Sequence, residues 1–151
     1  MRIVKATIRE LELLVPLFEA YRAFYKLPPA TTRARAYLRA RLMRGDATVF
    51  LAVEGKGGSV RALGFTLLYP TYSSLSMARA WVLNDLYVDL RGRRAGVARA
   101  LMERARRLAK GTRAAYLTLE TADSNRQAQR LYESLGWKRE RGFRHYALSL
   151  T

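Results

Sequence analysis

The 151-residue chain contains no cysteine, which excludes disulfide staples, thiol nucleophiles and thiolate metal sites. It has one histidine, His145, too few imidazoles for a zinc site; His145 reads as an ordinary strand residue. No apolar run approaches the roughly 20 residues of a membrane-spanning helix. The opening Met1-Arg2-Ile3-Val4-Lys5 lacks the apolar stretch of a secretory signal. Together these absences predict a protein of the reducing cytoplasm, with no metal and no membrane partner. Acidic residues are also scarce. Twelve Asp and Glu stand against 28 Lys and Arg, a formal charge of +16 and a pI near 11.0. Such a field attracts polyanions, nucleic acid and phosphorylated cofactors among them, and repels polycations. A solvated arginine-rich surface accounts for the same charge.

Half of the residues are hydrophobic, enough to build a core, and no linker or repeat divides residues 1–151, which read as one domain. Residues 3–6 are strand-like. Thr7 and Glu10 stand at capping-box spacing before a helical recurrence of Leu11, Leu14, Val15 and Phe18. Pro16 removes a donor from that helix and predicts a kink. Tyr21, Phe24 and Tyr25 continue it, and Pro28-Pro29 stops it. A second helix carries Ala34, Tyr37, Leu38 and Leu42, with Arg33, Arg35, Arg39, Arg41 and Arg44 largely on its other faces.

Strands follow at 48–54 and 62–69, forming a hairpin, and at 79–89. After a basic turn at 91–96 comes a helix with Val97, Leu101, Ala105 and Leu108 inward, ended by Gly111. A strand at 116–121 leads to Asp123-Ser124-Asn125, candidate caps for a helix with Ala128, Leu131, Tyr132 and Leu135 inward, stopped by Gly136. Strands at 137–141 and 143–150 complete the pattern. This is an α/β (α+β) order: a mixed, mostly antiparallel sheet of about seven strands flanked by four helices. The strands on either side of the helix at 97 should be parallel neighbours.

The chemically informative stretch is 86–101, where a strand runs through Arg93, Arg94, Ala95 and Gly96 straight into a helix. Free amides and the positive dipole at a helix N-terminus make an anion site, and small residues let a phosphate approach the backbone. No G-x-x-x-x-G-K-[ST] is present, and no G-x-G-x-x-G follows the strand.

What stands there is Arg93-Arg94-Ala95-Gly96-Val97-Ala98, after Leu86-Tyr87-Val88. This hexapeptide resembles the pyrophosphate-binding loop of the GNAT superfamily of N-acetyltransferases. A second block, Asn125-x-x-Ala128-x-x-Leu131-Tyr132-x-x-x-Gly136-Trp137, is similar to a downstream segment of the same family. A third, Trp81-Val82-Leu83-Asn84-Asp85-Leu86-Tyr87-Val88, looks like the central strand of its diamine/polyamine acetyltransferase branch. The likeness is strong over 81–150 and loose before that. It implies a GNAT fold and direct transfer of an acetyl group from acetyl-CoA to a primary amine, on a small molecule or a peptide. It implies no metal. The family's habit implies a homodimer.

By the same resemblance, Arg93, Arg94, Ala95, Gly96, Val97 and Ala98 hold the CoA pyrophosphate. Leu86, Tyr87 and Val88 border the pantetheine arm. Asn125 and Ala128 belong to the second block, Asn125 contacting pantetheine or capping its helix, and Tyr132 is the general acid near the sulfur. The family usually has glycine where Arg94 stands, so an ordinary φ is expected at Arg94.

A lysine-type amine, with pKa near 10.4, costs about 4.6 kcal/mol to neutralise at pH 7, so a base is wanted. The diamine enzymes often carry a glutamate where this chain has Asn84; Asp85, Glu120 or a water chain could substitute, and Asp85 is the candidate taken forward. For the acceptor, the aromatic candidates Tyr21, Phe24, Tyr25, Tyr69, Tyr72 and Trp81 narrow to Tyr25, Tyr72 and Trp81. Two rivals remain open: a protein N-terminal or ribosomal-protein acetyltransferase, and a basic module that binds nucleic acid or ribosomes on the same scaffold.

Overall fold

Thr7 closes the first strand and starts the first helix. Its backbone N–H donates to Glu10 Oε2 at 2.7 Å, and its own Oγ1 accepts from the Arg9 amide at 3.2 Å. The capping box expected from the sequence is therefore formed. It separates β1 (Arg2–Lys5) from α1 (Leu11–Phe24), with a single 3₁₀ turn between them. α1 stays helical through Pro16, although the missing N–H costs one ladder bond, and it buries Leu11, Leu14, Val15 and Leu17.

In this computed structural model, which describes residues 1–151, the chain forms two compact units, Met1–Glu120 and Thr121–Thr151. In the first unit α2 (Thr31–Arg44) follows α1 and buries Ala34 and Leu38; Gly45 ends it in the left-handed conformation, φ 67°. Then come β2 (Thr48–Glu54), β3 (Arg61–Ser73), β4 (Ala78–Val88), α3 (Val97–Gly111) and β5 (Leu117–Thr118). The sheet order is β1-β2-β3-β4-β5. Every pair is antiparallel except β4–β5, the parallel pair that the α3 crossover predicts.

Alternation divides the sheet along β2 and along β3 from Phe65 onward, with a register shift opposite Ala52 and Val53. Val49, Leu51, Val53, Phe65 and Leu67 pack with Leu14, Val15 and Leu38 of α1 and α2. On the opposite side α3 buries Val97, Leu101, Met102 and Ala105 against the sheet, and the Arg104 guanidinium lies 4.3 Å from the Phe50 ring centroid. At Gly64 a Cβ would sit 2.7 Å from the Tyr87 carbonyl oxygen, so glycine is what lets β3 approach the end of β4.

The second unit holds α4 (Arg126–Ser134). Asn125 caps it, its Oδ1 accepting from the Ala128 amide at 3.3 Å, and Gly136 follows its end at φ 89°. Ala128, Leu131, Tyr132 and Leu135 form the expected stripe, half-buried rather than buried. The strands expected at 137–141 and 143–150 do not form, so the sheet has five strands, not seven. Phe143, Tyr146, Leu148 and Leu150 are instead 84–89% exposed. Alternating apolar residues say which side of a strand would be covered, but ladder bonds to a partner decide whether a strand exists. The second unit contains no other strand to supply them. β5 is likewise shorter than the 116–121 expected, reduced to two residues.

Candidate active site

β4 does not keep strict alternation. Leu67 pairs with Asp85 and Leu68 with Leu83, so Asn84 is an extra residue, a β-bulge. Without it Trp81, Leu83, Asp85 and Tyr87 would share one face. With it, Trp81 and Leu83 lie on the α3 side, while Asp85 and Tyr87 lie with Phe65 and Leu67 on the side of α1 and α2. The bulge thus delivers a carboxylate to the tyrosine-rich face.

Asp85 is 7% exposed. Asn84 Nδ2 donates to its Oδ1 at 3.1 Å, and Tyr21 of α1 lies close enough to feel the charge of the same carboxylate. Burial pushes the Asp85 carboxyl above the usual carboxylate range, and its polar neighbours Tyr21 and Asn84 oppose the rise only in part. Tyr21 is itself pushed up, first by burial and then by the charge on Asp85. Its ring centroid lies 5.1 Å from Tyr25, 5.8 Å from Phe65 and 6.2 Å from Tyr87. Nearby, Tyr69 and Tyr37 share a short hydroxyl–hydroxyl hydrogen bond, and the Arg41 guanidinium lies 5.0 Å from the Tyr37 ring centroid. Tyr69 is pushed up by burial and by that hydrogen bond. Glu120, the other carboxylate considered from sequence, is exposed.

Along its other edge β4 meets β5 only at Trp81↔Leu117 and Val82↔Thr118. The backbone from Leu83 to Val88 therefore has no strand partner on that edge, a geometry that suits an extended, amide-bearing ligand. Beyond Val88 the chain makes a 3₁₀ turn at Leu90–Gly92, held by Asp89, whose carboxylate accepts from the Arg91 amide and side chain. Arg93 Nε donates to the Val88 carbonyl at 3.3 Å.

Arg94 then adopts φ 62° and Gly96 φ 74°. The ordinary φ expected at Arg94 is thus corrected: this arginine occupies the left-handed region that favours glycine, at a cost of about 1–2 kcal/mol. The turn from strand to helix is too tight for an extended residue there, and alternating left-handed positions rotate successive N–H groups toward one concavity. Residues 93–96 are exposed. α3 has no side-chain cap and no acidic residue in its first turn. No backbone carbonyl accepts from Gly96, Val97 or Ala98. A helix start with bare amides, no carboxylate and flanking arginines has the make-up that suits an anion.

The remaining sequence-derived candidates are not gathered in one place. Tyr25 lies beside Tyr21 on the Asp85 face. Tyr72 and Trp81 lie on the α3 side, where Arg79 is wedged between their rings at 5.1 and 5.5 Å. Trp81 Nε1 there donates to Thr112 Oγ1 at 2.8 Å. Asn125, Ala128 and Tyr132 belong to the second unit, where the Tyr132 ring lies 6.3 Å from Trp137. A shallow groove of about 230 Å³ runs between Pro16, Leu17, Val60 and Arg91, and none of the candidates lines it.

The family model for the Acetyltransferase (GNAT) family matches residues 14–137, from α1 to the end of the second block. The chain belongs to the GNAT acetyltransferase family. An uncharacterized N-acetyltransferase of Bacillus subtilis (strain 168), YhfO, is 38% identical over 150 residues, covering 99% of this chain and 98% of its own length. A probable acetyltransferase of Haemophilus influenzae is 31% identical, covering 100% of this chain and 99% of its own. The crystal structure of a probable acetyltransferase superposes with a TM-score of 0.93 at 40% identity, covering 100% of this chain and 99% of its own.

For a GNAT acetyltransferase, the residues that sequence reasoning underrated are Tyr21 and Asn84. Tyr21 sits at helical spacing among apolar residues and reads as core, but it lies close enough to Asp85 to feel its charge. Asn84 carries a small sequence cue: a polar pair, Asn84-Asp85, breaks an otherwise apolar and aromatic strand, which is where a bulge belongs.

Proposed function

We propose that this GNAT acetyltransferase moves the acetyl group of acetyl-CoA to a primary amine by direct attack of the amine on the thioester. The observation that carries the reading is the bare, acid-free start of α3, entered through two left-handed residues and lying just past the unpaired edge of β4. In this reading the amides of Gly96, Val97 and Ala98 hold the pyrophosphate, with Arg93, Arg94 and Ala95 around it. The edge at Leu86, Tyr87 and Val88 pairs with the pantetheine arm. Placing amine and thioester together supplies roughly 7–11 kcal/mol of the barrier reduction.

Asp85 takes the proton that the ammonium must lose. Its raised pKa narrows the gap to an amine. Tyr132, by the family resemblance, donates to the departing thiolate, and Asn125 caps the helix that carries it. Tyr25 borders the acceptor. Tyr72 and Trp81, packed about Arg79 on the other side of the sheet, serve as structure rather than as acceptor contacts.

The likeness of residues 81–88 to the polyamine branch makes spermidine the first acceptor to assay, and N-terminal peptides the second. The +16 field opposes a polycation, so kcat/KM for spermidine rises with salt if it is the substrate. The decisive experiment measures free thiol released from acetyl-CoA with each acceptor, alongside the melting temperature with CoA added. A CoA-dependent rise in melting temperature with acceptor-dependent thiol release supports the reading. Salt-sensitive nucleic-acid binding that CoA does not displace, with no thiol release, refutes it.

A further inference from the structure

With 28 Lys and Arg against 12 Asp and Glu, a carboxylate of this chain has cations in excess to choose from. Around α1 and α2 the acids are all engaged. Arg35 holds Glu12 at 2.9 and 3.0 Å, and Arg22 and the Ala30 amide hold Glu19, each at 2.9 Å. Arg41 lies 2.9 Å from Asp46, and Glu10 is taken up by the capping box at Thr7. Asp85, on the sheet face beneath these helices, is different. The neutral amide of Asn84 donates to it, and no Lys or Arg forms an ion pair with it. Its surroundings are aromatic instead. Leu67 stands opposite it, Phe65 and Tyr87 share its side, and Tyr69, next on that face after Leu67, packs against the same core. The Tyr21 ring lies 5.8 Å from Phe65 and 6.2 Å from Tyr87. Tyr25 follows at 5.1 Å from Tyr21, and Phe24 at 5.3 Å from Tyr25; both are exposed. A run of rings therefore extends from the neighbourhood of the buried carboxylate to the surface.

We propose that the acceptor is a primary monoamine with an aromatic or alkyl tail, its single ammonium matched to Asp85 and its tail laid against the tyrosines. This rests on the assignment of Asp85 as the group that receives the amine's proton. An ammonium that leaves water must find an anion in exchange, and Asp85 supplies one. A second ammonium, farther along a polyamine, would meet ring faces and acids that arginines already hold. Ring faces attract a cation, but by less than the loss of its hydration. An apolar tail has the opposite balance, because it gains from covering the same rings.

The α2 side of this face offers no counter-ion either. The Tyr69 and Tyr37 hydroxyls are engaged with each other, and the nearest charge beside Tyr37 is the Arg41 guanidinium, 5.0 Å from its ring centroid. The shallow groove by Pro16 does contain acids, Glu12 and Asp89, but Arg35 and Arg91 hold them. The +16 field disfavours a polycation as well. That repulsion is long-ranged and salt removes it, whereas salt does not supply a missing counter-ion within a desolvated site.

The test compares hexylamine with cadaverine on the full chain, two amines of equal length in which a terminal methyl is exchanged for an ammonium. Thiol release from acetyl-CoA is expected to give hexylamine a kcat/KM at least about 10-fold higher. The gap should persist in about 1 M salt, where the screening length is about 3 Å. Tyr25→Glu places an acid at the exposed end of the rings and should narrow the gap by about 2–5-fold, the worth of an exposed ion pair. Carbon-13 NMR of the labelled Asp85 carboxyl, titrated with each amine, reads binding without turnover; hexylamine should move that signal at the lower concentration. Hexylamine binding there with no thiol released defeats the acetyl-transfer reading and leaves the monoamine site standing. Cadaverine equal to or better than hexylamine in high salt, or an Asp85 signal that neither amine moves, overturns the proposal.

Discussion

Trp81 and Asp85, four residues apart on β4, face opposite sides of the sheet. Trp81 donates to Thr112 at the end of α3, whereas Asp85 accepts from Asn84 and lies near Tyr21 of α1. One inserted residue, Asn84, separates a structural aromatic from the carboxylate assigned to proton transfer.

Replacing that carboxylate separates its chemistry from its cost. Asp85→Asn is expected to lower kcat by about 10²–10⁴-fold, the usual contribution of a positioned base. It should also stabilise the fold at neutral pH. The folded-state pKa of Asp85 lies above its ordinary 3.8 because burial disfavours the charge. The native state therefore holds the proton more tightly than the unfolded chain, and native stability falls as pH rises from about the ordinary value through the raised one. Below that window Asp85 is protonated in both states. Thermal melts from acid to neutral pH should show the gain of the variant growing with pH and then levelling.

Arg94 holds a strained backbone in the loop before α3. Arg94→Gly is expected to raise stability by about 1 kcal/mol by removing the left-handed penalty, net of the greater freedom of glycine when unfolded. Arg94→Ala keeps the penalty and loses the charge as well. Denaturant midpoints of the two variants should therefore differ, with glycine the more stable, while both bind acetyl-CoA more weakly than the wild type.

Gly64 has carbonyl and Cα atoms of Tyr87 and Val88 where a side chain would go. Gly64→Ala meets backbone rather than a flexible side-chain tip, so the strands must separate. A loss of roughly 1–3 kcal/mol is expected, together with a rise in KM for acetyl-CoA as the end of β4 shifts. Chemical denaturation and steady-state kinetics check both parts.

Asn125→Ala removes the hydrogen bond that caps α4. The expected cost is about 1 kcal/mol, felt first as faster amide exchange at Ala128 and Gln129. An effect on KM for acetyl-CoA beyond that loss of order would point to direct contact between Asn125 and the pantetheine arm.

The parts of the fold that could be read from the chain are those governed by short-range chemistry. The capping box at Thr7 and Glu10 and the Asn125 cap follow from residues within a turn of one another. The strand at 48–54 and the parallel pairing across α3 follow from apolar patterning and chain reversal rules. What could not be read depends on partners distant in sequence. The segment 143–150 has the alternation of a strand, yet ladder bonds are not encoded in alternation. The aromatic candidates form a set by residue type, but Tyr25 follows α1 on one side of the sheet while Tyr72 and Trp81 point from their strands toward α3 on the other. The left-handed φ of Arg94 was hidden for a related reason: the loop geometry imposes it against the preference of the residue.

The change of side at Asn84 makes neighbours of residues that the chain holds apart and strangers of residues that it holds together. Substitutions at Trp81 and Asp85 should contribute independently to stability, as sites without shared partners do. Substitutions at Tyr21 and Asp85 should not, since the charge of Asp85 acts directly on Tyr21. Energetic coupling in this protein therefore crosses from helix to sheet rather than running along β4.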